Sequence, residues 1–147
     1  MSDPKPFSFP PPQDPRIGYS VTRRPDGGMH YVFTKTDHET LRHWREFALA
    51  HLTSADHKTR NLYELRQVER LTPEALGLAL EVGNDPAARN VRTAVVVSGP
   101  EVAAALGEVQ AISEHGNFRV FYTLEEAEAW LAQPFSRLIK KQDALSA

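Results

Sequence analysis

The sequence predicts one α/β domain, in which a mixed, mostly parallel sheet begins with a β-hairpin and about four helices pack on it. One observation is the uninterrupted apolar run from Ala94 to Val97, which is typical of a strand covered on both faces in a parallel sheet. Another is that strand-like and helix-like apolar spacings alternate along the chain. Strands separated by helices require right-handed crossovers, so the later strands should be parallel.

Length and composition suit an ordinary globular protein. The 147 residues are 41% hydrophobic and 24% charged, and a chain of this size buries roughly two-thirds of its unfolded surface. The net charge of −2 argues against nucleic acid as a partner, because no excess of cations is present to neutralise phosphates. Cysteine is absent, which excludes disulfides and thiolate chemistry and agrees with a reducing compartment.

No apolar run reaches the roughly 18 residues that span a bilayer, and the amino terminus lacks the apolar core of a signal peptide. We therefore expect a cytoplasmic protein that does not span a membrane. Prolines concentrate in the first part of the chain, where they disfavour helix and strand, so residues 1–16 are predicted to be a flexible arm. The α/β domain is assigned to residues 17–133, and residues 134–147 to a C-terminal helical extension or tail.

The first half of the domain has clear local signals. Alternating residues on both sides of the glycine-rich turn at 24–28 predict two strands joined in a hairpin. Asp37 offers a cap to a first helix, whose apolar residues recur at helical spacing between Leu41 and Leu52. A short strand is predicted at 62–65.

The second half repeats strand and helix. The Thr-Pro pair at 72–73 favours the start of a second helix, and residues 98–100 turn from the apolar strand directly into a third. A last alternating strand is predicted at 118–122. The spacing of Thr123 and Glu126 is that of a capping box, which predicts the start of a fourth helix.

The residue sets that common enzymes need are missing. The sequence has no dinucleotide-binding, phosphate-loop, nucleophile-elbow or zinc-protease motif. His38 and His43 are five positions apart, about 140° around a helix, so they do not face one metal ion. The acidic residues between Glu64 and Glu74 alternate with Arg66 and Arg70, which indicates a solvated rim of compensating charge. We expect no enzymatic activity, no cofactor and no metal.

The turns that leave the carboxyl ends of the strands form the predicted binding face. In open α/β sheets ligands and partners meet the protein there, where helix N-termini present unpaired amides. These turns carry Asp37, Thr72, Glu74, Ser98 and Gly99, which we predict to contact a protein partner. The hydroxyl of Thr72 also suits a helix cap, and capping and recognition can coexist.

Two segments resemble STAS domains, and in particular the SpoIIAA-like subgroup of anti-sigma-factor antagonists. Residues 62–78, LYELRQVERLTPEALGL, are similar to the strand, loop and helix start of that fold. Residues 118–131, FRVFYTLEEAEAWL, resemble its last strand and helix. The resemblance covers residues 17–133. It implies a STAS-like fold and a non-catalytic regulatory module that binds a protein partner or, as in some relatives, a small or lipid-like ligand in an apolar cleft.

The chain departs from this family at its phosphoacceptor. Antagonists carry an Asp-Ser-Ser-Gly-like turn whose serine a partner kinase phosphorylates, whereas this turn reads Thr72, Pro73, Glu74 and Ala75. Glu74 falls near the position of the serine. It is either a permanent charge that resembles the phosphorylated state or a first-turn glutamate that suits the helix dipole. Whether Thr72 accepts a phosphate is left open.

A second hypothesis is a carrier or sensor of an apolar small molecule. Leu41, Trp44 and Phe47 would then flank a cleft beside the first helix, although aromatic residues at this spacing are more often core. A third hypothesis, an enzyme with an unrecognised site, would need a deep pocket that holds perturbed titratable groups. The oligomeric state is left open, a homodimer included.

Overall fold

A computed structural model describes Phe7 and residues 9–54, 58–112 and 117–135. The strands and helices alternate in the predicted order, which is confirmed. A short 3-10 helix, Pro86–Asn90, precedes β4 and was not predicted. The elements are β1 Tyr19–Arg23, β2 Met29–Phe33, α1 His38–Ser54, β3 Thr59–Glu64, α2 Pro73–Gly83, β4 Val91–Val96, α3 Pro100–Ile112, β5 Phe118–Phe121 and α4 Leu124–Leu131.

The strands form one five-stranded sheet in the order β1-β2-β3-β4-β5. The pair β1–β2 is antiparallel, and each later neighbour is parallel. The predicted α/β class, with a hairpin followed by a mostly parallel sheet and four helices, is therefore confirmed. The middle strand is β3, whereas the apolar run at 94–97 belongs to β4 and to the residue after it.

Three helices cover one face of the sheet and α4 covers the other. Each crossover advances by one strand in the same direction, so α1, α2 and α3 fall on the same face. Along β4, Val91 and Val95 belong to the core beneath these three helices, while Ala94 and Val96 pack against α4. Burial on both faces explains why this strand is apolar at successive positions.

The hairpin turn lies close to the amino edge of the sheet. Gly27 has φ 92°, a left-handed conformation that glycine adopts without steric cost. At Gly28 a Cβ atom would lie only 1.6 Å from the carbonyl oxygen of Arg60 at the start of β3. The two glycines thus allow the hairpin to pack directly on the neighbouring strand.

A buried guanidinium holds the C-terminal end of α4. The side chain of Arg92 on β4 is 1% exposed, and its Nη1 donates to the carbonyl oxygens of Trp130 at 3.1 Å and Leu131 at 3.2 Å. A cation stabilises a helix C-terminus because the last carbonyls are unpaired there. At the other end of α4 the predicted capping residue is confirmed, since the Thr123 hydroxyl accepts from the Glu126 amide at 3.1 Å.

The described part of the predicted arm lies against α1. The Phe7 ring centroid is 5.6 Å from that of Phe47, and the Phe9 centroid is 5.8 Å from that of His43. Both rings are half-buried. Residues 1–6 and 8 of the predicted arm, and the predicted C-terminal extension from residue 136 onward, lie outside the described residues.

Candidate ligand-binding cavity

A cavity of about 230 Å³ lies between the sheet and the layer formed by α1, α2 and α3. Thr36 and Leu71 border it at the carboxyl edge of the sheet, and Thr59 and Asn117 border it at the amino edge. The remaining wall residues are Arg23, Gly27, Gly28, Met29, Tyr31, Phe33, Leu41, Trp44, Ala48, His51, Leu52, Asn61, Tyr63, Leu65, Ala75, Ala79, Val82, Gly83, Ala88, Val91, Thr93, Val95, Leu106, Val109 and Phe118.

The cavity follows from small residues on α2. Ala75, Ala79 and Gly83 recur every four positions, so they form one stripe of that helix, and all three line the cavity. A helix that presents methyl groups and a bare backbone to a sheet cannot fill the space that leucine or phenylalanine would fill. Protein interiors are otherwise packed as densely as organic crystals, so this stripe accounts for the space beneath α2.

Aromatic rings form one side of the cavity. The Tyr31 ring of β2 stacks on the Tyr63 ring of β3 with centroids 4.2 Å apart. The ring centroid of Phe33 lies 6.3 Å from that of Tyr63. Trp44 of α1 meets Tyr63 edge-on at 79° and donates from Nε1 to the Tyr63 hydroxyl at 3.1 Å. We call Tyr31, Phe33, Trp44 and Tyr63 the aromatic floor. Burial raises the pKa of both tyrosines, so their hydroxyls stay neutral.

Charge on the wall is confined to one end. Among the wall residues that the structure describes there is no aspartate or glutamate, and Arg23 is the one lysine or arginine. Arg23 Nη1 donates to the Gly27 carbonyl oxygen at 2.8 Å. His51 also lines this end, and its Nδ1 is 2.9 Å from the Phe47 carbonyl oxygen. The cavity therefore has a mostly apolar interior and a polar end.

Two of the three residues predicted to flank an apolar cleft line this cavity. Leu41 and Trp44 do so from α1. Phe47 is fully buried on the other flank of the helix, where its ring centroid lies 5.6 Å from that of Phe7 and 5.9 Å from that of Tyr31. Phe47 thus supports α1 from the side that the N-terminal segment covers.

The five residues predicted for a partner-binding face lie at the carboxyl edge of the sheet, four of them in turns and Glu74 in the first turn of α2. Asp37 and Thr72 are helix caps: Asp37 Oδ1 accepts from the Thr40 amide at 3.2 Å, and Thr72 Oγ1 accepts from the Ala75 amide at 3.1 Å. Hydrogen bonds from the side chain and the amide of Thr40 lower the pKa of Asp37. Capping by Thr72 agrees with its predicted structural role.

The remaining three predicted residues are Glu74, Ser98 and Gly99, of which the first two contact a neighbouring segment. The Glu74 carboxylate lies 2.6 Å from His38 Nδ1, which joins the starts of α2 and α1. Ser98 Oγ donates to the Arg66 carbonyl oxygen at 2.9 Å. A Cβ at Gly99 would meet no atom within 4 Å, so packing does not demand a glycine there.

A polar cluster that the sequence did not predict lies on the face of the sheet away from the cavity. His30 Nε2 is 2.5 Å from Glu64 Oε2, and Glu64 also pairs with Arg66. Glu64 is 9% exposed, so it belongs to the packed sheet and not to a solvated rim. Parallel pairing of β2 with β3 brings His30 beside Glu64, and this pairing has no local signature in the sequence.

The described ranges contain no group of three or more histidine, aspartate or glutamate side chains placed to hold a metal ion. No helix within those ranges combines the length and apolar character needed to cross a bilayer.

Comparison of the chain with protein-family models finds no match, and comparison with curated proteins finds no relative. The resemblance to STAS domains therefore stays a prediction.

Proposed function

We propose that this protein binds a small, predominantly apolar molecule in the cavity between the sheet and helices α1, α2 and α3. The observation that carries the proposal is an apolar space of about 230 Å³ bordered by the aromatic floor. Ligand sites are typically concave, apolar and supplied with a few polar groups, at volumes of roughly 300–1,000 Å³. At about 230 Å³ this cavity lies just below that range, which favours a small ligand.

The stripe of small residues on α2 supports the same function. An unfilled cavity costs stability in proportion to its volume, roughly 24 cal/mol per Å³, and one larger side chain on α2 would remove part of that cost. Ala79 stands where such a side chain would project, because it lines the cavity from the middle of the helix. A bound molecule that supplies the missing contacts would offset the cost of leaving this space open.

Titration with a neutral apolar fluorophore, N-phenyl-1-naphthylamine, tests the proposal directly. The wild-type protein should bind one equivalent with a rise in emission, and Ala79→Leu should weaken binding at least tenfold by filling the cavity. Ala104→Leu is the matched control, because Ala104 is an exposed helical alanine on α3 outside the cavity wall.

Equal binding by wild type and Ala79→Leu would contradict the proposal, as would emission that rises without saturation. Circular dichroism of both variants establishes that they fold.

A second candidate is a regulatory module that binds a protein partner at the carboxyl edge. It is supported by the resemblance to STAS domains and by the exposure of Asp37, Thr72, Glu74 and Ser98 along this one edge. Gly99 is half-buried beside them. Exposed polar side chains on adjacent turns offer a surface that a partner can contact without rearranging the core.

Immobilised protein tests this second function. A partner captured by the wild-type protein should be lost with Glu74→Ala and kept with Glu108→Ala, which removes an exposed carboxylate from α3. Undiminished capture by Glu74→Ala would place the contact elsewhere.

A further inference from the structure

We propose that the ligand of the cavity is an uncharged apolar molecule with a hydrogen-bond-accepting oxygen, such as the carbonyl oxygen of a ketone or an ester, which binds between Asn61 of β3 and Thr93 of β4. This inference rests on the proposed small-molecule binding and adds the chemical class of the ligand. It is carried by two hydrogen-bonding side chains that neighbouring strands place side by side in a mostly apolar wall.

Asn61 and Thr93 are neighbours on the cavity face of the sheet. Parallel pairing of β3 with β4 sets the two residues opposite each other, and both line the cavity. Neighbouring strands lie about 4.8 Å apart. One ligand oxygen placed over the pair can therefore lie within hydrogen-bond distance, about 3 Å, of a polar atom from each residue.

A backbone amide determines how the Asn61 carboxamide is turned. The Met29 amide of β2 donates to Asn61 Oδ1 at 2.9 Å. Because an N–H group can only donate, it selects the oxygen of the carboxamide and leaves Nδ2 as the atom free to bind elsewhere. Nδ2 carries two N–H donors and accepts no hydrogen bond, so it requires an acceptor.

The fold does not use the Asn61 amide or the Thr93 hydroxyl. Among the residues that the structure describes, neither Asn61 Nδ2 nor Thr93 Oγ1 has a hydrogen-bond partner. Both residues are half-buried. In the same ranges Arg92 Nε is the one fully enclosed side-chain polar atom that lacks a partner. The two groups are therefore accessible from the cavity that both residues line.

The absence of charge on this pair selects an uncharged ligand oxygen. No carboxylate occurs among the described wall residues, and the guanidinium of Arg23 donates to the Gly27 carbonyl oxygen in the hairpin turn. A charged ligand group would lose its hydration on entering the cavity, and neutral donors replace only part of that loss. A carbonyl oxygen gives up less hydration and has two lone pairs for the two donors.

The neighbours of the pair indicate where the rest of the ligand lies. Tyr63 follows Asn61 by two positions on β3, and Val95 follows Thr93 by two positions on β4, so each lies on the same face as the residue before it. Beyond the pair the wall is thus apolar, with the aromatic floor on the sheet and the small-residue stripe on α2. The hydrocarbon part of the ligand packs there.

Two compounds of nearly the same shape test the inference on the wild-type protein. In acetophenone the carbon beside the ring is double-bonded to oxygen, and in α-methylstyrene it is double-bonded to a CH2 group. Displacement of bound N-phenyl-1-naphthylamine gives the affinity of each compound. The ratio of the ketone affinity to the hydrocarbon affinity isolates the hydrogen bonds, because both compounds bury the same ring.

Variants of the pair should lower this ratio. Asn61→Asp keeps the oxygen that accepts from Met29 but removes the amide donors, so the ratio should fall about tenfold. Thr93→Val replaces the hydroxyl with a methyl group of similar size and should lower the ratio about threefold. Asn90→Asp and Thr22→Val make the same changes at exposed positions outside the cavity wall and should leave the ratio unchanged. Thermal unfolding of each variant reports whether it folds.

The outcomes separate the two proposals. If the fluorophore fails to bind to the wild-type protein, the proposed function itself is wrong. If it binds, but folded Asn61→Asp and Thr93→Val both keep the wild-type ratio, the cavity function stands and the carbonyl class is overturned. Displacement of the fluorophore by α-methylstyrene but not by acetophenone leads to the same conclusion.

Discussion

The hydroxyl of Tyr63 is the polar atom on which the aromatic floor depends. It accepts the Trp44 Nε1–H hydrogen bond at 3.1 Å. We expect Tyr63→Phe to lower the free energy of unfolding by about 1–2 kcal/mol, because the indole donor then loses its partner in a largely buried site. Urea unfolding followed by circular dichroism measures the change.

Tyr122→Phe is the matched control for this prediction. Tyr122 is 55% exposed, so water can replace any partner that its hydroxyl loses, and surface changes usually stay within about 0.5 kcal/mol. Equal stability of wild type and Tyr63→Phe would show that the hydrogen bond to Trp44 adds nothing to folding.

At the scale of elements, Thr72 is expected to stabilise the start of α2. Its Oγ1 accepts from the Ala75 amide at 3.1 Å, and loss of such a cap costs about 1 kcal/mol. Thr72→Ala should lower the free energy of unfolding by that amount, and Thr72→Ser should restore most of it because serine caps equally well. Destabilisation by Thr72→Ser as large as that by Thr72→Ala would contradict the capping role.

The β1–β2 hairpin and α4 are joined by an ion pair whose contribution should depend on pH. Arg24 Nη1 lies 2.6 Å from Glu128 Oε1, and the hydrogen bond from Arg24 lowers the pKa of Glu128 from its ordinary value of 4.5. A carboxyl group with a depressed pKa in the folded state stabilises that state fully above its ordinary pKa. The contribution disappears as pH falls through the folded-state value.

We therefore expect Glu128→Gln to be less stable than wild type at pH 7, by at most about 1 kcal/mol because the carboxylate is half exposed and screened. The difference should shrink as pH falls below 4.5 and vanish once wild-type Glu128 is protonated. Glu108→Gln, at an exposed position on α3, controls for the change in net charge. A difference that persists unchanged into acid would show that the pairing does not act through ionisation.

At the scale of the whole molecule, local patterns predict the elements and their class but not the space between them. The apolar run in β4 and the caps at Thr72 and Thr123 each depend on a few neighbouring residues, so the sequence alone reveals them. The cavity depends on how the small residues of α2 face a sheet whose strands come from distant segments. Their spacing places Ala75, Ala79 and Gly83 on one stripe of the helix, yet it does not tell whether the opposing surface fills the gap.

Local spacing likewise predicts only part of the cavity wall. Leu41 and Trp44 line the cavity, whereas Phe47 lies on the flank of α1 that Phe7 contacts, because helical spacing does not identify which buried residue meets which neighbour. Arg23 also lines the cavity and was not singled out from the sequence, because only the folded hairpin brings it to this space.

Coupling between ligand binding and folding provides the last test. A molecule that binds only the folded state raises the free energy of unfolding, by about 2.7 kcal/mol at a concentration one hundred times its Kd. For a domain of this size that corresponds to a rise in Tm of roughly 8 °C. The cavity lies within the core shared by the sheet and three helices, so its occupant stabilises the whole domain. Scanning calorimetry with N-phenyl-1-naphthylamine at that concentration should show this rise for wild type and Ala104→Leu but not for Ala79→Leu. An equal rise in Ala79→Leu would mean that the compound stabilises the protein from another surface.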